Sequence, residues 1–167
     1  MKKFVKFSKC LIVLLTVILF TQCEEEESTP SFNNAIKMNG NDFSVVTASI
    51  TGVSMGVLGH SSISFINGSE TQGKSLTINV ESFTQATIEG DYAFPEVSGK
   101  KILDDWLTVY VDYDGTNINT SELETGEVSV THNSGNNYTV SMNIEMVDGV
   151  TFTGSYTGDF IVMFNTN

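Results

Sequence analysis

The chain predicts an all-β fold: an antiparallel β-sandwich of about eight to ten short strands, with a lipocalin-like up-and-down barrel as the alternative. Three observations carry this expectation. Apolar and polar residues alternate with period two through several stretches, and glycine-bearing turn pairs separate those stretches. Within the domain, no segment repeats apolar residues at helical spacing.

The amino-terminal end stands apart from this pattern. Lys2, Lys3, Lys6 and Lys9 form a basic front, and CLIVLLTVILF, Cys10 to Phe20, follows without a charge. A run of that length suits a secretory signal and falls well short of the ~20 residues that span a bilayer as a helix. Residues 1–22 are therefore expected to be a cleaved signal peptide, 23–34 a linker and 35–167 a single all-β domain. A domain of that size buries about two-thirds of its unfolded surface, so it needs neither disulfide nor metal to fold.

LFTQC, Leu19 to Cys23, resembles the lipobox of bacterial lipoproteins, whose cysteine is acylated and becomes the mature amino terminus. Gln22 stands where the usual pattern has Gly, Ala or Ser, and Phe20 where Leu is commoner, departures familiar in Bacteroidota-type lipoproteins. Cys10, the only other cysteine, leaves with the signal, so Cys23 has no partner for an internal disulfide and makes a poor metal site alone. The resemblance implies lipid attachment at Cys23. Glu24, Glu25, Glu26 and Glu27 resemble the acidic tag that in Bacteroidota lipoproteins favours export to the outer face of the outer membrane. From charge alone they read as a solvated tether. The expected location is the outer membrane, lipid-anchored and facing the cell surface, with the periplasmic leaflet as the alternative.

Beyond the signal the chain carries four lysines against twenty acids and no arginine, a formal net charge of −16. Nucleic acid is excluded as a partner, because its binding depends on Lys and Arg neutralising phosphates. The charge serves solubility beside other surface components, or attracts cations or a basic partner.

Along the domain, strands are expected near 35–39, 42–50, 53–58, 61–66, 75–83 and 106–113, then a three-stranded meander from Gly126 to Phe164. In SLTINVES, Leu76, Ile78 and Val80 share one face. In YTVSMNIEM, Tyr138, Val140, Met142, Ile144 and Met146 do so, and GEVSVTH repeats the pattern with Val128 and Val130. Asn39-Gly40 and Asp148-Gly149 are two-residue hairpin signals, and Asn67-Gly68 and Asp114-Gly115 close two further strands. AIKMNGNDFSV, GDYAF, GEVSVTH and VSMNIEMVDGVTFTGSYTGDF together resemble a group of small Bacteroidota lipoprotein domains. That resemblance covers about 130 residues, implies fold and location, and supplies no catalytic residue.

Candidate chemistry is sparse. GVSMG, Gly52 to Gly56, has the Gly-x-Ser-x-Gly form, but Ser54 as a nucleophile needs a strand-to-helix turn, and the following VLGHSSISF reads as strand. DYDGTN offers Asp112 and Asp114 as a weak calcium candidate. The EF-hand frame fails at Thr116, Asn117 and Leu123. Paired acids at Asp104–Asp105 and Asp112/Asp114 arise from composition as readily as from glycoside hydrolysis. His60 and His132 are single and lack ligand spacing. In WLTVYVDY, Leu107, Val109, Val111 and Tyr113 are expected to face the core. That leaves Trp106, Tyr110 and Asp112 outward beside Thr108, as a platform for a sugar ring or a protein. The competing reading has both faces covered, with Trp106 anchoring a second core layer.

The expected function is a non-catalytic, lipid-anchored binding module for a glycan, peptide or protein partner, with no cofactor beyond the weak calcium candidate. A structural or inhibitor-type envelope accessory protein is the alternative, and a lipocalin-like carrier of an apolar ligand a lesser one.

Overall fold

The period-two stretches form strands. The computed structural model describes residues 32–164 except 56–57, 70, 83, 97–98 and 105–106, and these residues form strands and turns with no helix. YTVSMNIEM lies in β11 (Asn137–Met146), with Tyr138, Val140, Met142, Ile144 and Met146 buried and Ser141, Asn143 and Glu145 exposed. SLTINV lies in β6 (Gln72–Val80), with Leu76, Ile78 and Val80 fully buried.

Four two-residue strands are β1 (Asn33–Asn34), β2 (Lys37–Met38), β3 (Asn41–Asp42) and β8 (Lys100–Lys101). The longer ones are β4 (Thr47–Met55), β5 (Leu58–Ser69), β7 (Gly90–Phe94), β9 (Val109–Tyr113), β10 (Ile118–Ser134), β12 (Thr151–Asp159) and β13 (Ile161–Phe164). Neighbours run in the order β13-β4-β5-β6-β9-β10-β11-β12-β2-β3, with β1 beside β2 on β12, and β7 on β10 carrying β8. All pairs are antiparallel except β13 with β4 and β7 with β8.

Two features curl this sheet upon itself. β10 pairs with β9 through Ile118–Glu122, then with β11 from Leu123 onward and with β7 through Gly126–Val130. A register shift between Leu123 and Thr125 marks the corner, as a bulge does where a strand must bend. β13 follows β12 after one residue, Phe160, and joins β4. A first layer (β13, β4, β5, β6, β9 and the start of β10) therefore faces a second (the rest of β10, β11 and β12 with their neighbours). The sandwich and barrel expectations meet in this curled sheet.

Aromatic rings fill the space between the layers. Phe65 of β5 meets Tyr156 and Phe160 edge-on at 5.7 and 5.9 Å, and Tyr110 of β9 meets Phe152 of β12 at 5.3 Å. Phe43 adds a further edge contact on Phe152 at 5.6 Å. Each fully buried ring contributes roughly 1.5–3 kcal/mol, and edge-on pairs add about 0.5–1.5 kcal/mol.

Turn chemistry places most corners. Asn39-Gly40 joins β2 to β3 with both residues at positive φ, 51° and 77°, as a tight hairpin demands. Asp114-Gly115 turns β9 into β10, and Asp148-Gly149 turns β11 into β12. Asn67-Gly68 closes no strand: β5 continues through it to Ser69, opposite Gln72. The separate strands expected at 42–50 and 53–58 are largely one, β4, which runs through Gly52 where that residue pairs with Phe164 and Ser61.

Candidate functional site

Three neighbouring strands of the second layer register three residues each. Asp91, Ser129 and Ser141 form one row, Tyr92, Val128 and Met142 the next, and Ala93, Glu127 and Asn143 the third. The middle row turns its side chains into the core, where Tyr92, Val128 and Met142 are at most 5% exposed. The outer rows therefore stand as walls above a floor of backbone. The resulting open trough crosses the strands, with a volume of about 530 Å3 lined by these nine residues.

The walls are preorganised. Ser129 Oγ donates to Asp91 Oδ1 at 2.6 Å, which fixes that carboxylate across two strands. Just beyond, Glu89 Oε1 accepts the His132 backbone N–H at 3.0 Å, and Thr139 and Thr157 hydroxyls meet at 3.0 Å on the next row. Asp91 and Glu127 supply acceptors, Asn143 supplies both donor and acceptor, and Ser141 supplies a hydroxyl. No His, Cys or Lys lines the trough. This chemistry suits hydrogen bonding to a hydroxyl-rich ligand.

The WLTVYVDY stretch is turned over relative to expectation. Thr108 and Tyr110 face the core, at 0% and 5% exposure, while Val109, Val111 and Tyr113 are half-buried on the outer surface. Thr108 tolerates burial because its hydroxyl donates to the Leu103 carbonyl at 2.6 Å and accepts the Asn79 N–H at 3.0 Å. Tyr110 packs its ring on Phe152 and carries its hydroxyl to the open end of the interior. There Lys74 Nζ donates to it at 3.2 Å, and it donates to Asp112 Oδ2 at 3.2 Å. Tyr110 therefore offers no ring to solvent, and Trp106 lies outside the described residues.

Lys74 also pairs directly with Asp112, and that hydrogen bond is the first cause of its raised pKa, partly opposed by burial. Burial pushes the Tyr110 hydroxyl upward as well. Asp114 is committed elsewhere: its carboxylate accepts the Thr116 and Asn117 N–H groups at 2.9 and 2.8 Å and the Asn117 side chain at 3.1 Å. These bonds hold its pKa below the ordinary value. The two calcium candidates thus serve an ion pair and a turn.

Other candidates fall apart in space. Ser54 sits within the β4–β5 pair opposite Gly59, in a strand-to-strand hairpin rather than a strand-to-helix turn. His60 is half-buried in β5. His132 stacks on Tyr138 at 4.7 Å, with Nε2 2.8 Å from the Gly135 carbonyl. Among the described residues no three His, Cys, Asp or Glu side chains gather to hold a metal ion. Asp104 is half-buried, and its neighbour Asp105 lies outside the described residues, as do Cys23, Glu24, Glu25, Glu26 and Glu27. Comparison with family models, curated proteins and solved structures returns no match.

Proposed function

We propose that the chain is a lipid-anchored, non-catalytic binding module of the bacterial outer membrane, exposed at the cell surface, that holds a glycan in the transverse trough. The trough carries this reading: rigid strands hold donors and acceptors at ladder spacing, and sugar hydroxyls take one of each. The wall carboxylates and the net charge of −16 favour an uncharged or cationic glycan over an anionic one. Support for the address comes from the basic and apolar leader, Cys23 and the four glutamates that follow it. An envelope accessory role is the second reading, favoured by the same negative charge, which suits docking on a basic partner.

A glycan array probed with the mature chain tests the site. Neutral or amino-sugar glycans are expected to bind, and Asn143→Ala is expected to weaken binding about tenfold, the worth of one well-placed polar contact. Binding that Asn143→Ala and Glu127→Gln leave unchanged would remove the trough from the reading. Cys23→Ala is expected to release the protein from membranes; continued sedimentation with the outer membrane would sink the anchor.

A further inference from the structure

The two layers present outer surfaces of opposite character. The second turns hydroxyls, amides and charges outward, as at the trough. On the first, register with buried neighbours places Ile66, Val109 and Val111 outward across β5 and β9, with Tyr113 in the next row. Ile118 of β10 lies beside Tyr113, and Ile161 and Met163 of β13 hold the opposite edge. Ile66, Ile118, Ile161 and Met163 are 41%, 68%, 56% and 54% exposed. Between them stand small hydroxyls, Ser49, Ser64 and Thr77 in one row and Ser75 in the next. Among the described residues the charge on this surface is Glu122 alone, at its margin, in a chain with twenty acids.

We infer that two copies of the chain pack through this surface, sheet on sheet, about a two-fold axis. The occupant follows from charge and area. Each copy carries a net −16, so association is tolerable only where the contact itself excludes charge, and a basic partner would find nothing here to pair with. A second copy brings the same surface, whose one charge, Glu122, stands at its margin. Six strands about 4.8 Å apart and four ladder rows about 6.8 Å apart give roughly 600 Å2 a side and about 1,200 Å2 in all, the lower bound of a specific interface. Small hydroxyl residues between branched side chains leave room for interdigitation at the ~10 Å spacing of packed sheets. The self-complementary contact is the isologous kind that closes as a dimer.

Sedimentation equilibrium of the full chain in density-matched detergent tests the inference, with Val111→Glu and Val111→Lys as variants. Val111 is half-buried on the outer surface, so both variants should stay folded and unfold in one cooperative transition, with a melting temperature lowered by no more than the lost dimer contributes. Wild type is expected to sediment as a dimer, each variant to lose the dimer, and an equimolar mixture of the two to regain it. A monomeric wild type would overturn the inference. So would variants that still dimerise, since the lipid anchor and not this surface would then hold the copies together.

Discussion

Gly154 offers the sharpest test of how the second layer is built. It lies in β12 at φ +105°, between the stretch that pairs with β1 and the stretch that pairs with β2. A Cβ added there would stand 2.1 Å from the Ala35 carbonyl oxygen and 3.0 Å from its carbon, both backbone atoms. The Ala35 N–H donates to the Ser155 carbonyl at 2.8 Å, so the two chains cannot separate without losing that bond. Gly154→Ala therefore carries two costs: about 1–3 kcal/mol for the unfavourable φ and about 1–3 kcal/mol for the forced displacement. A total of roughly 3–4 kcal/mol lowers the melting temperature of a domain this size by about 10–20 °C. Gly40→Ala is the control, because φ is +77° there but no atom lies within 4 Å of the added Cβ. It should lose only about 1 kcal/mol. The assay is paired thermal and denaturant unfolding of the wild type and both variants. Equal losses for Gly154→Ala and Gly40→Ala would refute the close approach to Ala35 as the cause.

The Lys74–Asp112 pair predicts a pH window. Lys74 has its pKa raised above the ordinary 10.5 in the folded chain, so its contribution is complete below that value and disappears as pH climbs through the folded pKa. Both side chains are about one-third exposed, so solvent screening holds the contribution below about 1 kcal/mol. The stability gap between wild type and Lys74→Met should be present at neutral pH and close in strong alkali; a gap that persists there argues for packing of the lysine stem instead. Ser61 makes the opposite kind of prediction. Its hydroxyl is fully buried with no hydrogen-bond partner among the described residues. Ser61→Ala should hold or raise the unfolding free energy by up to about 1 kcal/mol, and a loss would reveal a partner for that hydroxyl.

Where one parity class of a strand is apolar and the other polar, the sequence alone sets both strand and face. β11 is such a case, with Val140, Met142 and Ile144 inward and Ser141, Asn143 and Glu145 outward. In VYVDY both classes contain large apolar residues, and the phase cannot be read from the pattern. What decides it is tertiary: Thr108 finds a carbonyl, and Tyr110 reaches Phe152 with its ring and Lys74 with its hydroxyl. The trough is invisible for a related reason. Alternation announces Ser129, Ser141 and Asn143 as outward, but only register brings Asp91 across to Ser129, thirty-eight positions later in the chain. The same holds for the charge-poor outer surface, which joins residues from six strands.

The continuity of β10 also has a mechanical meaning. Its later half carries the middle of the trough at Glu127–Ser129, and its first half is laddered to β9. In the proposed reading, force on a ligand would enter the domain there, while the amino-terminal side of the described residues is held by β1, which grips β12 at Thr157 and Tyr156. Between these points the load crosses the β10–β11 and β11–β12 ladders sideways, and peeling β10 away would also tear it from the opposite layer. If the chain holds a ligand in the trough while anchored as proposed, the two-residue grip of β1 on β12 is the link on that path expected to yield first.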